Sequence, residues 1–124
     1  MKRYNKNLGD FGEKAAVEYL KNKGYEILKE KYLVKGGEID IVAYLDNTLV
    51  FAEVKTRSSD KFGAPSEAVD KRKIERLKVA AEEYYRENPH DGEIRFDVFE
   101  IYADFVSDEP RLKEINHIEN IVVD

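Results

Sequence analysis

Residues Gly36 to Arg57 read GGEIDIVAYLDNTLVFAEVKTR, two apolar stretches separated by a short polar turn. Their β-branched and aromatic residues predict two antiparallel strands joined as a hairpin. Four charged residues lie inside these stretches: Glu38, Asp40, Glu53 and Lys55. Because an unpaired charge in a half-buried sheet is costly, each of them is expected to have a partner.

The turn at residues 46–47 sets the expected register of this hairpin. A two-residue Asp-Asn loop is an acceptable hairpin turn, and it places Asp40 opposite Glu53 and Glu38 opposite Lys55. Two carboxylates directly across an antiparallel pair repel each other unless a proton or a cation lies between them. We therefore expect a divalent metal ion at Asp40 and Glu53.

Lys55 is expected to lie beside that ion. Side chains alternate along a strand, so Glu53 and Lys55 project from the same face. Hard oxygen ligands for Mg²⁺ next to an ammonium group are typical of metal-assisted hydrolysis. The alternative is a set of salt bridges, in which Glu38 faces Lys55 and Asp40 or Glu53 meets an arginine elsewhere, in a protein that serves only as a scaffold.

The segment Leu8 to Lys23 has the three-four spacing of an amphipathic helix. Glu13 lies at the edge of its apolar stripe and is expected to point inward, towards the hairpin. Gly9 and Gly12 lower the helix propensity, which indicates that another backbone or a ligand approaches closely there.

Five further elements are expected. They are a strand over Tyr25–Val34, a polar loop over Thr56–Pro65, a helix over Ser66–Glu87, a central strand over Glu93–Tyr102 and an edge strand within Leu112–Val123. The loop is either a mobile flap beside the hairpin or an ordinary solvated connection. At 124 residues, the chain is expected to form a single domain over residues 1–124.

The second predicted helix begins with a cluster of positive charges: Lys71, Arg72, Lys73, Arg76 and Lys78. Such a run forms either a solvated helix face or a patch that contacts phosphates. The chain as a whole has a net charge of −5, but residues 87–124 hold three Lys/Arg against eleven Asp/Glu. The first 86 residues are therefore mildly basic, which is compatible with nucleic-acid binding.

Asp97 is the charged residue inside the predicted central strand. It is either a structural, hydrogen-bonded aspartate or a group that supports the metal site from behind. His90 is expected to be solvated and His117 isolated, and neither has zinc-ligand spacing to a partner.

The composition excludes several kinds of site. Without cysteine there is no disulfide framework, thiolate nucleophile or sulfur-ligated zinc. No apolar run resembles a signal peptide or a membrane span. A cytoplasmic protein without membrane contact is the expectation.

Several segments together resemble the bacterial YraN-like family, which is similar to archaeal Holliday-junction resolvases within the PD-(D/E)XK nuclease superfamily. The segments that carry this resemblance are Gly12–Ala16, Gly37–Ala43, Leu49–Arg57, Phe62–Gly63 and Arg95–Val98. The chain departs from the family pattern at Lys31-Tyr32-Leu33, where members often have Asn-x-Arg. The departure removes an arginine that would meet DNA or a carboxylate.

The resemblance implies an α/β fold with a restriction-endonuclease-like core, a mixed central sheet of about five strands flanked by helices. It implies a metal-dependent DNA endonuclease with catalytic residues Glu13, Asp40, Glu53 and Lys55. Asp40, Glu53, Glu13 and the Val54 carbonyl would hold Mg²⁺, with Mn²⁺ as a substitute. Lys55 would orient the attacking water.

The same resemblance suggests DNA, including branched DNA, as the partner, and a homodimer. The residues expected to hold the DNA backbone are Arg57, Lys71, Arg72, Lys73 and Arg76. The alternative function is a catalytically silent module that binds nucleic acid or recruits a partner on a nuclease-like fold.

Overall fold

The computed structural model describes residues 2–58 and 71–123, with side chains from residue 8 onward. The elements in chain order are α1 (Lys2–Asn22), β1 (Glu26–Val34), β2 (Gly37–Leu45), β3 (Thr48–Ser58), α2 (Lys71–Glu87), β4 (Glu93–Val106) and β5 (Glu109–Ile118). Neither helix, over the part that is described, is long and apolar enough to cross a membrane.

The five strands form one mixed sheet in the order β1-β2-β3-β4-β5. β3 and β4 run parallel, and the other neighbours are antiparallel. The parallel pair needs a long crossover, which contains α2. The predicted α/β fold with a mixed sheet of about five strands is thereby confirmed.

The helices lie on opposite faces of this sheet. The face covered by α1 packs Ala16, Val17 and Leu20 against the strands, and the face covered by α2 packs Leu77, Ala80 and Ala81 against them. The strand residues facing α1 include Ile41, Ala43, Val50, Ala52, Phe99 and Ile101, and those facing α2 include Ile39, Val42, Leu49 and Phe51. Two separate apolar cores therefore sandwich the central strands.

The turn between β2 and β3 has the predicted register. Asp46 and Asn47 have φ angles of 49° and 63°, the left-handed values that a tight hairpin turn of this kind requires. Ala43 pairs with Val50, and the last ladder pair is Ile41 with Ala52. β2 and β3 diverge immediately before the residues whose opposition was predicted.

The predicted opposition of Glu38 and Lys55 is therefore wrong. Glu38 pairs with Leu33 of β1, and its carboxylate lies 3.1 Å from the Arg76 guanidinium of α2. Lys55 instead pairs with Glu100 in the parallel β3–β4 ladder. The cause is that β3 leaves β2 to continue alongside β4.

Several predicted boundaries also differ. Thr56 and Arg57, expected in a loop, extend β3 because they pair with Ile101 and Tyr102 of β4. The rest of that predicted loop, and the start of the predicted second helix, lie in residues 59–70, outside the described residues. β4 continues to Val106, beyond the predicted Tyr102, and β5 spans Glu109–Ile118 instead of lying within Leu112–Val123.

Asp97 is a structural aspartate in this fold. Its fully buried carboxylate accepts hydrogen bonds from Arg95 Nε (2.9 Å) and Nη2 (2.8 Å) and from the backbone N–H of Asn120 (3.0 Å), and it lies 2.7 Å from His117 Nε2. Neither Asp40 nor Glu53 belongs to this network, whose members all lie in the described residues. Asp97 therefore holds the C-terminal segment against β4. The structural role predicted for it is the one that these contacts support, and it does not contact Asp40 or Glu53.

Both histidines are more engaged than expected. The side chain of His117 is only 3% exposed, and its ring stacks on Phe99 at a centroid distance of 4.2 Å. His90 is partly buried, and its Nε2 lies 3.1 Å from the backbone carbonyl oxygen of Asn47. The local sequence gave no sign of these long-range contacts.

Candidate functional site

The candidate site lies where β2 and β3 separate. Beyond the Ile41–Ala52 pair, Oδ2 of Asp40 accepts a hydrogen bond from the backbone N–H of Val54 at 2.7 Å. The side chain of Asp40 thus takes the place of a backbone acceptor in the adjacent strand. Asp40 and Glu53 remain 8% and 6% exposed, so the divergence brings two carboxylates together inside the protein.

Burial dominates the electrostatics of both carboxylates. Burial raises the pKa of Asp40 to about 6, opposed by the Val54 hydrogen bond and reinforced by the charges of Glu13 and Glu38. Burial, followed by the charge of Asp40, raises the pKa of Glu53 to about 7. The predicted repulsion between Asp40 and Glu53 is present although the two residues are not ladder partners.

One lysine partly compensates this charge. Lys73 of α2 places its Nζ 3.6 Å from Oε2 of Glu53, and its side chain is 50% exposed. A contact of that length at the protein surface stabilises only weakly. The salt-bridge alternative is thus correct in kind for Glu53, but it involves a lysine instead of an arginine and leaves Asp40 without a cationic partner at contact distance among the described residues.

The basic end of α2 forms one wall of the site. Arg72, Lys73 and Arg76 line a cleft of about 160 Å³ together with Glu38 and Glu53. Cations and carboxylates therefore share one opening, and a ligand that enters it meets both. Lys71, also predicted to contact DNA, is exposed at the first described turn of α2.

Lys55 and Arg57 continue along β3 from Glu53. Both are partly buried, and strand alternation directs them to the same face as Glu53. Their partners in the parallel ladder are Glu100 and Tyr102. Val54, between Glu53 and Lys55, has its side chain in the core facing α1 and its N–H on Asp40.

Glu13 comes from α1 on the other side of the sheet. Its Oε1 lies 2.6 Å from Nζ of Lys31, and its side chain is 19% exposed. Its charge contributes to the raised pKa of Asp40. Across residues 2–58 and 71–123, however, no three acidic or histidine side chains lie close enough to share one metal ion. The charge of Glu13 therefore acts on Asp40, but the Glu13 carboxylate itself is bonded to Lys31.

Lys31 is the site residue that sequence reasoning missed. The sequence marked it only as part of a departure from a family pattern, and nothing in its immediate neighbours pointed to Glu13. A lysine with a φ of 53° inside a strand is visible only in three dimensions.

The chemistry of the site fits a divalent cation at two of the predicted ligands. Asp40 and Glu53 supply buried, hard oxygen donors whose raised pKa values mark insufficient positive charge around them. A divalent cation between them would remove the repulsion that burial amplifies. Because Glu13 is bonded to Lys31, the residues present fit a cation held by two carboxylates, Asp40 and Glu53, with Glu13 nearby as a third.

Comparison with known proteins relates the chain to one family. The profile described as "Uncharacterised protein family UPF0102" matches residues 12–101. A UPF0102 protein of Alkaliphilus oremlandii is 48% identical over 119 residues, covering 94% of this chain and 97% of the relative. Those of Clostridioides difficile and Caldanaerobacter subterraneus are 45% and 43% identical, over 94% and 97% of this chain and 96% and 98% of the relatives.

Proposed function

The chain belongs to the UPF0102 family, the YraN-like family that its sequence resembles, and we propose that it is a metal-dependent DNA endonuclease that hydrolyses phosphodiester bonds. The observation that carries the proposal is the buried pair Asp40 and Glu53, with both pKa values raised, of which Glu53 lines a cleft together with Arg72, Lys73 and Arg76. A purely structural sheet gains nothing from burying two repelling carboxylates at this point.

Asp40 and Glu53, with the backbone carbonyl of Val54, would hold Mg²⁺ or Mn²⁺. Such an ion, when bound, supplies positive charge to the phosphate and lowers the pKa of a coordinated water. The hydrogen bond from Val54 N–H to Asp40 Oδ2 leaves the other carboxylate oxygen of Asp40 available for a ligand. Glu13 would add negative charge to the site, and would join the ligands only after leaving Lys31.

Lys55 is the proposed catalytic cation. It follows Glu53 on the same strand face, so its ammonium can reach a phosphate that lies against the carboxylates. In that place it orients the attacking water and stabilises the negative charge that develops on the phosphate oxygens.

Arg57 and the residues at the described start of α2, Lys71, Arg72, Lys73 and Arg76, would contact the DNA backbone. Phosphate contacts of this kind weaken as the salt concentration rises and carry little sequence information. Arg76 and Lys73 already contact Glu38 and Glu53, so their positions relative to the carboxylates are defined before DNA arrives.

The resemblance to resolvases supports three finer proposals. The sheet and its two helices form a restriction-endonuclease-like core, branched DNA is among the substrates, and the active form is a homodimer. Each of these proposals can fail without affecting the assignment of Asp40, Glu53 and Lys55.

A cleavage panel tests the proposal. Linear, flapped and four-way DNA are incubated with wild type and with Lys55→Ala, in Mg²⁺ or in Mn²⁺. We expect cleavage of at least one substrate by the wild type and a loss of about 100-fold in rate for Lys55→Ala, because the variant removes one preorganised charge from the transition state.

Lys113→Ala is the matched control, since it removes the same charge from an exposed position on β5. Equal residual cutting by Lys55→Ala and wild type would indicate a contaminating nuclease and would overturn the assignment of Lys55. DNA binding without cleavage of any substrate would favour the silent module instead.

A further inference from the structure

Lys31 has an unusual backbone conformation for its residue type. Its φ of 53° lies in the left-handed region, which is sterically disfavoured for a residue with a Cβ. The β1–β2 ladder pairs Glu30 with Ile41 and Tyr32 with Ile39, but it does not pair Lys31 with Asp40. The strain therefore lies directly across from a proposed metal ligand.

The contacts of Lys31 show what this conformation achieves. Its Nζ lies 2.6 Å from Oε1 of Glu13 and 3.8 Å from Oδ1 of Asp10. The hydrogen bond to Glu13 is the main cause of a raised pKa for Lys31, and the charges of Asp10 and Asp40 add to it. The Lys31 ammonium is thus bonded to Glu13, a predicted ligand, and also feels the charges of Asp10 and Asp40.

We propose that Lys31 is a positioning residue that holds Glu13 beside Asp40 and competes with a divalent cation for the Glu13 carboxylate. This inference rests on the proposed function, because it assigns Lys31 a role towards the metal at that same site. On this proposal, Lys31 lowers the affinity of the site for the metal although it is not itself a ligand.

The competition follows from charge and distance. Glu13 can give its lone pairs to Lys31 or to a divalent cation, and the ammonium repels any cation that approaches Asp40. The Lys31 side chain is 57% exposed, so its hold on Glu13 is screened by solvent and is weak enough to exchange. Removing the charge at residue 31 should therefore tighten metal binding.

The test measures the binding of Mn²⁺ alone, by electron paramagnetic resonance of the free ion. Lys31→Asn removes the charge and keeps a residue that tolerates a left-handed φ. We expect Lys31→Asn to lower the Kd for Mn²⁺ about tenfold, and Lys31→Arg to leave it near the wild-type value. In a Glu13→Gln background, the effect of Lys31→Asn should shrink, because the carboxylate for which the two cations compete is gone.

An unchanged or raised Kd in folded Lys31→Asn would overturn the inference. Circular dichroism and the melting temperature verify folding, and Lys31→Gly, which also accepts this φ, serves if Lys31→Asn does not fold. A wild type that binds Mn²⁺ but cuts no DNA contradicts the proposed function alone. A wild type that cuts DNA while Lys31→Asn binds Mn²⁺ unchanged contradicts the inference alone, and a wild type that binds no Mn²⁺ contradicts both.

Discussion

In buffer with a chelator at about pH 8, Asp40→Asn is expected to be more stable than the wild type by on the order of 2 kcal/mol. At that pH both Asp40 and Glu53 are charged, and each is buried beside the other. Asparagine keeps an oxygen that accepts the hydrogen bond from Val54 N–H, which alanine would leave unpaired. The substitution therefore removes the cost of burying a charged carboxylate together with its repulsion of Glu53.

The pH dependence has a defined sign. The pKa values rise from 3.8 to about 6 for Asp40 and from 4.5 to about 7 for Glu53, so the folded protein binds more protons than the unfolded chain. The stability from these two groups is complete below the unfolded pKa values and is lost as the pH rises through about 6 and 7. The wild type should lose stability across this window, and Asp40→Asn should lose less. Urea unfolding at several pH values measures both.

Asp97→Asn is the matched control for this experiment. The same substitution there removes charge from a carboxylate that accepts hydrogen bonds from Arg95. Burial acts to raise the pKa of Asp97, but hydrogen bonding to His117 and Arg95 outweighs it and lowers that pKa. We expect Asp97→Asn to destabilise the protein by about 3 kcal/mol, because Arg95 loses its charged partner. If Asp40→Asn also destabilised the protein at high pH, the repulsion argument would be wrong. Mn²⁺ should then raise the melting temperature of neither the wild type nor Asp40→Asn.

Gly12→Ala is expected to destabilise the protein by more than about 3 kcal/mol. A Cβ at residue 12 would lie 1.7 Å from Oγ1 and 2.8 Å from Cβ of Thr56, so α1 would have to move away from β3. Thr56 is β-branched and held in the β3–β4 ladder, which leaves it little freedom to rotate aside. The close approach predicted for this glycine is therefore present.

Gly9→Ala makes the same change three residues earlier in α1, and we expect it to stabilise the protein instead of destabilising it. Among the described residues nothing lies within 4 Å of a Cβ at residue 9, so the close approach of another backbone predicted there is wrong. Alanine should stabilise the helix by about 0.5–1 kcal/mol. Thermal unfolding of the two variants compares them directly. Equal effects of both substitutions would show that helix propensity, and not contact with Thr56, governs residue 12.

The hairpin could be predicted because its determinants are local. A two-residue turn fixes the pairing of Ala43 with Val50 and of Ile41 with Ala52, and alternation then fixes which side chains share a face. The elements with strong periodicity, including α1 and the central β4, were predictable for the same reason. The family was predictable from the ordered motifs around this hairpin.

The partners of the charged residues could not be predicted from the sequence. Hairpin geometry predicted that Lys55 pairs with Glu38, but the β2–β3 ladder ends before these residues. Glu38 instead contacts Arg76, which lies in a helix 38 positions later in the chain. Lys31 reaches Glu13 only because its backbone enters the left-handed region. Such contacts depend on tertiary geometry and leave no periodic signal in the sequence.

The two neighbours of β3 differ in when they can form during folding. β2 joins it through a two-residue turn, whereas the parallel pairing of Thr48 with Glu93 must first close a long chain segment. Hairpins form in about 1–10 μs, and contacts between distant residues form later because of their loop-closure entropy. We therefore expect β2 and β3 to pair before β4 and α2 enclose Asp40 and Glu53, so that the cost of burying these two charges arises late in folding.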